Sequence, residues 1–192
     1  MGKDSCFEVP LHYTMAVFGG FIGAYALLSR MQIFGSAQTA NLIELICDIL
    51  GKNPGEILIR IGALAVYVSA MALSVVLAKN INWNLKYISI GLDAAAVILL
   101  GFLPENMDPV EALYPVFFIT AFQWCVFKGA KGYVSSTIFS TNNLKQTVLS
   151  FTEYLLLKEN DEVRKKKAEK AAFFWRNTFL FSCSVGSVIY CG

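Results

Sequence analysis

Charged residues are scarce in this chain. They make up 16% of its 192 residues, against roughly 25% in a typical soluble domain. Hydrophobic residues reach 56%, and the mean hydropathy is +0.54. So few charged side chains could not cover a core this apolar. The composition therefore argues against an ordinary soluble domain and predicts an integral membrane protein whose main partner is the lipid bilayer.

Residues that carry enzyme chemistry are equally few. The single histidine, His12, has no partner at ligand spacing in its own segment, so we expect it at the membrane interface. The sequence holds no GxSxG, HExxH or P-loop motif and no GxGxxG after a strand. The cysteines form no CxxC pair, and we expect them to be small buried apolar residues: Cys6, Cys47, Cys125, Cys183 and Cys191. We therefore expect no enzyme, no metal and no cofactor.

Five apolar blocks dominate the chain. Each runs 15 to 22 residues, close to the roughly 17 to 25 needed to cross a bilayer as a helix. They are Tyr13–Ser29, Ile57–Ala78, Tyr87–Leu103, Leu113–Phe127 and Phe173–Tyr190. A cleaved signal peptide would also explain the first block, but Asp4, Glu8 and Pro10 do not suit a basic n-region. The sequence thus predicts an all-α membrane protein, one transmembrane domain over 1–192 with five transmembrane helices.

Basic residues are concentrated in one region, between Lys128 and Lys170. Because lysine and arginine mark cytoplasmic loops, this region and, by counting crossings back, the N-terminus are predicted to be cytoplasmic. Residues 158–170 form a charged cytoplasmic loop in which acids alternate with bases. This mixture favours a solvated helix that fixes orientation over a patch for anionic lipid, and we expect no nucleic acid partner.

Two polar motifs of matching sequence interrupt the apolar blocks. The first is Gln38-Thr39-Ala40-Asn41-Leu42 and the second is Ser140-Thr141-Asn142-Asn143-Leu144, with threonine, asparagine and leucine matching at an offset of 102. Each is followed by an arginine that opens the next crossing, Arg60 and Arg176. We predict an internal repeat with units 13–103 and 113–192. Because three crossings separate the copies, the second unit is predicted to be inverted. The alternative is a chance match.

Each motif is predicted to start a short helix. We expect Thr39 or Asn41 to cap the first helix and Thr141 or Asn143 to cap the second. If both helices are re-entrant, their N-termini approach the membrane midplane from opposite sides, where free amides can hold an anion or a carboxylate. The alternative is that they cap interfacial helices and bind nothing.

Other residues inside the crossings also call for a role. Asp93 is the only acid well inside a crossing, at a cost of at least roughly 2.5 to 3.5 kcal/mol, so we predict that it couples or gates. We consider three states for Asp93: it titrates as a proton-coupling site, it pairs with Arg60, or it stays protonated and hydrogen-bonded. Gln123 needs a partner at membrane depth and is otherwise structural. Gly19 and Gly23 allow close helix packing, either within the chain or in a homo-oligomer.

The run from Gly19 to Tyr25, followed by Phe34 and the first motif, resembles the opening of the YoaK family, bacterial inner-membrane proteins of unknown function. Gln123, Thr137 and the second motif are similar to that family's second half. The resemblance implies a multi-pass protein of the bacterial inner membrane with six crossings, of which the last is absent here. Family members usually have glycine at the position of Ala40 and an acid at that of Gly23, so any family-wide ion coupling is in doubt in this chain.

Together these features favour transport of a small solute, an anion or a carboxylate. The competing hypothesis is a non-transporting membrane scaffold, in which the motifs only lock helices together and the basic loop recruits a partner. The predicted solute-binding residues are Thr39, Asn41, Thr141, Asn143 and Gln123, and the predicted coupling or gating residues are Asp93 and Arg60.

Overall fold

A computed structural model describes residues 4–29, 38–104, 106–156 and 161–191. In these residues the fold is all-α apart from one two-stranded hairpin, which confirms the predicted class. The helices are α1 Asp4–Ser29, α2 Gln38–Gly51, α3 Pro54–Asn80, α4 Leu85–Phe102, α5 Pro109–Ala112, α6 Tyr114–Val126, α7 Ser140–Leu156 and α8 Asp161–Cys191. The strands are β1 Gly129–Ala130 and β2 Tyr133–Val134.

Each predicted crossing lies in a helix. Three described stretches are long and apolar enough to cross a membrane: Phe7–Leu28, Pro54–Asn80 and Leu85–Phe102. The apolar helix α6 has 13 residues and is thus about 20 Å long, shorter than the roughly 30 Å hydrocarbon core of a bilayer. The structure therefore supports a membrane protein, while the fourth and fifth crossings stay predictions.

The surfaces of α3 and α4 are those of lipid-facing helices. Many large apolar side chains on them are exposed, among them Leu58, Val68, Val76, Ile98 and Phe102. Contiguous apolar surface of this kind marks contact with a membrane or a partner. The buried residues of each helix form a narrow stripe of small or polar side chains instead, as is usual where membrane helices pack together.

The chain divides into two compact units. Unit 1 comprises Met1–Phe21 and Phe127–Gly192, and unit 2 comprises Ile22–Val126. These boundaries differ from those of the predicted repeat, because α6 belongs with α3 and α4, and the first part of α1 belongs with α7 and α8. The inverted repeat therefore stays a prediction.

Unit 2 is organised around α6, which packs against α3 and α4. Most of α6 is buried, including Val116, Phe117 and Phe122. The Tyr114 hydroxyl donates a 2.6 Å hydrogen bond to the carbonyl of Ile59 on α3. Helix starts in this unit follow the usual capping chemistry: the side chains of Asn84 and Asp108 accept hydrogen bonds from the first backbone N–H groups of α4 and α5.

Unit 1 is built on the helical pair α7 and α8, joined to the first part of α1 and to the hairpin. Its aromatic core contains Phe173 and Phe174, against which Tyr13 and Tyr133 pack. The charged segment predicted over 158–170 is helical from Asp161 and forms the start of α8, while 158–160 lie outside the described residues.

The hairpin was not predicted from the sequence. Its two-residue turn has positive φ at Lys131 (55°) and Gly132 (76°), the combination that closes a type I′ turn with the twist that strands require. At Gly129 φ is 144°, and a Cβ there would overlap the backbone carbonyl of Tyr133. Only glycine fits at that position.

Close packing in unit 1 also accounts for Gly19. A Cβ at Gly19 would overlap the carbonyl of Thr137, so α1 touches the segment before α7 directly. Gly19 thus packs within the chain, as one of the two alternatives expected, while a homo-oligomer through Gly19 and Gly23 stays a prediction. A Cβ at Gly23 would meet nothing within 4 Å, although that residue is buried.

Candidate functional site

The two polar motifs share a structural pattern as well as a sequence. Helix α7 begins at Ser140, the first residue of its motif, and the first motif is likewise helical from Gln38, where the described residues of α2 start. The threonines of both motifs are exposed, whereas Asn41 and Asn143 are buried, with 6% and 1% of their surface accessible. The capping prediction was wrong, because the threonine and the asparagine of each motif (Thr39 and Asn41, Thr141 and Asn143) already lie inside the helix.

In unit 1, Asn143 holds the segment that precedes its helix. Its Oδ1 accepts hydrogen bonds from the Ser135 hydroxyl at 2.9 Å and from the Ser136 N–H at 3.4 Å. Its Nδ2 donates to the Ser136 carbonyl at 2.7 Å. From α8, Asn177 donates to the same Ser135 hydroxyl and Ser136 carbonyl, each at 2.9 Å. Two buried amides thus fix one short stretch of backbone.

His12 completes this cluster. Its Nε2 lies 3.1 Å from the Ser135 hydroxyl, and only 1% of the residue is exposed. The interfacial position predicted for His12 is therefore wrong. Ser135 donates its proton to Asn143 in this arrangement, which fits the tautomer of His12 that carries its proton on Nε2.

In unit 2, Asn41 is held far more weakly. Its Nδ2 donates to Oε1 of Gln38 at 3.4 Å, a long hydrogen bond inside the same helical turn. No other side-chain hydrogen bond of Asn41 is found within the described residues. The same position of the motif therefore has different surroundings in the two copies.

Arg60 ties α3 to α2. Its Nη1 lies 2.5 Å from Glu44, and its Nε lies 2.5 Å from Asp48. The two acids are four residues apart and so lie on one face of α2. Arg60 therefore pairs with Glu44 and Asp48. Its pairing with Asp93, one of the alternatives that the sequence left open, does not occur in this structure. The corresponding Arg176 is exposed on α8.

Asp93 lies at the middle of α4 and is 3% exposed. It shares a buried stripe with Ser89, Ala96 and Leu100. Neither carboxylate oxygen of Asp93 has a hydrogen-bond partner within the described residues, and the same holds for the Ser89 hydroxyl one turn away. Buried polar atoms are nearly always satisfied in native proteins, so this group of oxygens needs a functional explanation.

Polar groups of α6 lie at a similar depth. Leu99 of α4 and Pro115 of α6 line one groove, which indicates that the end of α4 lies beside the start of α6. Asp93 is six residues before Leu99, or about 9 Å along the helix, and Gln123 is eight residues after Pro115, or about 12 Å. Gln123 is fully buried. The helix register therefore brings Asp93 and Gln123 towards the same part of unit 2.

The cysteine prediction was partly wrong. Cys47 and Cys183 are exposed and Cys125 is half-buried, and all three are free thiols. Cys47 and Cys183 lie on apolar helix surfaces, where lipid can cover a thiol as a protein core would. Within the described residues, no group of three or more histidine, cysteine or acidic side chains is placed to hold a metal ion.

The family of the chain follows from its sequence. The profile of a family described as "Protein of unknown function (DUF1275)" matches residues 11–190. This chain belongs to the DUF1275 family. Comparison with curated proteins and with solved structures finds no match. Because the family description assigns no activity, the function of this DUF1275 member has to be argued from its own residues, and the closer resemblance to YoaK stays a prediction.

The predicted site residues of this DUF1275 protein fall into separate groups. Thr39, Asn41, Asp93, Arg60 and Gln123 belong to unit 2, whereas Thr141 and Asn143 belong to unit 1. Sequence reasoning missed the residues around them: Ser89, Ser135, Ser136 and Asn177. The available signal was a hydroxyl or an amide inside an apolar helix or beside a motif, which is weak because most such groups bond locally.

Proposed function

We propose that this protein carries a small solute across the membrane together with a proton, and that Asp93 holds the proton. The observation that supports the proposal is the buried, unbonded carboxyl group of Asp93 at the centre of an apolar helix. An acid retained at that depth marks an ion or substrate pathway by default. Among the described residues, none of opposite charge pairs with it.

The energetics make a purely structural role costly. Asp93 is the ninth of the 18 residues of α4, so it lies roughly 12 Å from either end of the helix. An ionised carboxylate there costs at least about 2.5 kcal/mol on insertion scales. A neutral carboxyl still loses its hydrogen bonds to water, at about 1 to 3 kcal/mol. Selection that tolerates this cost implies a benefit other than stability.

A proton also suits the solute class predicted from the motifs. Moving one charge across the membrane costs or gains about 2.3 kcal/mol per 100 mV. An anion or a carboxylate that crosses with one proton moves no net charge and avoids this barrier. In this proposal Asn41, Thr39 and Gln123 contact the solute, and Arg60 keeps α2 against α3.

The engaged amide of Asn143 suggests a different role for the second motif. Its carbonyl and its amino group both bond to the segment 135–136, which leaves little capacity for a solute. We propose that Thr141 and Asn143 fix the start of α7, and that they contribute to transport by positioning.

The test is proton movement in proteoliposomes that contain the purified protein and the trapped pH dye pyranine. A panel of small carboxylates, phosphate and amino acids is added outside, one compound at a time. We expect at least one compound to acidify the lumen, with Asp93→Asn abolishing the effect and Asp93→Glu retaining part of it. Ala94→Leu, which changes the exposed neighbour of Asp93 without adding a polar group to the apolar surface of α4, is the control and should behave like the wild type.

The scaffold hypothesis is supported by a separate observation, the mutually hydrogen-bonded cluster of Ser135, Asn143, Asn177 and His12. Such a dry cluster is typical of residues that lock helices together. If folded protein moves no proton with any compound, or if Asp93→Asn moves protons as well as the wild type does, the transport proposal fails and the scaffold is preferred.

A further inference from the structure

Helices α7 and α8 of unit 1 form a groove that the transport proposal does not use. It has a volume of about 580 Å³ and is open to the surface. Its walls are almost entirely apolar and include Phe151 and Tyr154 of α7 with Ala168, Ala172 and Trp175 of α8. The alanines leave room between the aromatic side chains at either end. Open apolar space of this size on a membrane protein calls for an apolar occupant.

Two basic residues of α8, Arg164 and Lys165, lie close to one end of the groove, one turn after Asp161. The Arg164 guanidinium lies over the ring of Tyr154, a wall residue, at 4.7 Å from the ring centroid. Arg164 is four residues before Ala168, which is four before Ala172, so the three lie along one face of α8. Lys165 adjoins them. The nearest acid on α7, Glu153, is already paired with Lys167.

The length of the groove fits one leaflet of a bilayer. Arg164 and Trp175 are 11 residues apart on α8, which corresponds to about 16 Å. Half of the roughly 30 Å hydrocarbon core is about 15 Å. A ligand with one charged end and an apolar body of this length is amphipathic in the manner of a lipid. A helix from a second copy of the chain would need no positive charge at one end only.

We propose that this groove binds one acyl chain of an anionic phospholipid, with the phosphate held by Arg164 and Lys165. Arginine suits the phosphate because its planar donors bind two oxygens at once. The chain lies along Ala168 and Ala172 and reaches Trp175. Headgroup binding at Arg164 agrees with the predicted cytoplasmic location of the segment 158–170, and it revises the prediction that this segment is a solvated helix and no patch for anionic lipid.

Trp175 provides a direct reporter, since the protein has only three tryptophans. In a Trp83→Phe, Trp124→Phe background, Trp175 is the sole tryptophan. The full chain is reconstituted in phosphatidylcholine vesicles that contain increasing fractions of phosphatidylglycerol with brominated acyl chains, which quench tryptophan on contact. We expect saturable quenching at a low fraction of phosphatidylglycerol, and much weaker quenching by brominated phosphatidylcholine at the same fraction.

Variants separate the two parts of the proposal. A basic residue near an anionic lipid contributes a factor of about five in binding, so Arg164→Gln with Lys165→Gln should raise the half-quenching fraction about 25-fold. The matched control removes the same charge from the other side of α8, by Lys166→Gln with Lys170→Gln. This control should change the half-quenching fraction less than twofold. Ala172→Leu fills the groove without changing charge and should reduce the maximal quenching, whereas Ala94→Leu on α4 should not.

Three results would overturn the proposal. Equal quenching by brominated phosphatidylglycerol and phosphatidylcholine would show that the headgroup is not recognised. An equal loss in the control pair would reduce the effect to general surface charge. Unquenched Trp175 together with a cross-linked dimer would assign the groove to a second copy. The lipid comparison and Ala172→Leu remain decisive even if the Arg164 and Lys165 variant does not fold.

Discussion

Alanine substitution of the two equivalent asparagines should have very different effects on stability. Asn143→Ala removes three hydrogen bonds, at 2.7, 2.9 and 3.4 Å. The Ser136 carbonyl keeps its bond from Asn177, and the Ser135 hydroxyl keeps its contacts with His12 and Asn177. The Ser135 proton and the Ser136 N–H, however, lose their acceptor while still largely excluded from water. At about 1 to 3 kcal/mol for each group left unsatisfied, the expected loss is about 3 kcal/mol.

Asn41→Ala should be nearly neutral. It removes one hydrogen bond of 3.4 Å within a single turn of α2, and alanine is the better helix former by about 0.6 kcal/mol. The expected change in the free energy of unfolding is within about 0.5 kcal/mol of zero. Both substitutions remove the same atoms, so each serves as the size-matched control of the other.

The assay is reversible unfolding of the full chain in mixed micelles with increasing sodium dodecyl sulfate, followed by far-UV circular dichroism. The reasoning is refuted if the two alanine variants lose equal stability, or if Asn143→Ala loses less than about 1 kcal/mol.

Further predictions concern contacts inside each unit. Arg60→Met leaves Glu44 and Asp48 without their cation and should lower the free energy of unfolding by about 2 kcal/mol in the same assay. A triple variant that also carries Glu44→Gln and Asp48→Asn should recover most of this stability. If the triple variant recovers none, the ion-pair explanation is contradicted. A Cβ at Gly129 overlaps the Tyr133 carbonyl, whereas a Cβ at Gly132 has nothing within 4 Å. Gly129→Ala should therefore lower the melting temperature clearly more than Gly132→Ala, which costs only the roughly 1 kcal/mol of its positive φ. Equal shifts in melting temperature would contradict the overlap at Gly129. The Lys167 ammonium, hydrogen-bonded to Glu153, lowers the pKa of that carboxyl below its ordinary value of 4.5. The small stability difference between wild type and Glu153→Gln should therefore be present at neutral pH and disappear as the pH falls below 4.5. A difference that stays constant down to acidic pH would exclude this pair as its source.

Periodicity and composition predicted the helices well because membrane burial acts on each segment locally. All five apolar blocks are largely helical, and Asp93, predicted to lie well inside a crossing, is at the middle of a helix long and apolar enough to span a membrane. The partners of Arg60 were also within reach of the sequence. Glu44 and Asp48 are spaced to share one face of a short helix, and the turn at 51–53 brings that helix back to α3. The pattern predicts an interhelical ion pair once α2 and α3 are seen as neighbours.

The cluster around Asn143 could not be predicted in the same way. His12 and Ser135 are 123 residues apart, and neither belongs to a motif. The stretch Ser135-Ser136 is held by side chains from α1, α7 and α8, so its role depends on tertiary packing. A hairpin of two-residue strands likewise leaves almost no alternating pattern in the sequence.

The two copies of the motif differ in the residues available around them, and the sequence records the difference. The offset of 102 that aligns the motifs places Ile33 and Phe34 at the positions of Ser135 and Ser136. Aligning Arg60 with Arg176 places Ile61 at the position of Asn177. The first copy therefore has the apolar residues Ile33, Phe34 and Ile61 at the positions of Ser135, Ser136 and Asn177, which surround Asn143 in the second copy.

This replacement gives the asparagines separate tasks. Asn143 is surrounded by partners that use its amide to fix the start of α7. Within the described residues Asn41 has no equivalent partners and keeps one long bond to Gln38, so its amide can exchange that bond for one to a solute at little cost. If the protein is a transporter, Asn41→Ala should reduce uptake while leaving stability intact, whereas Asn143→Ala should reduce both together. Uptake that survives Asn41→Ala unchanged would leave the first motif without a role in binding.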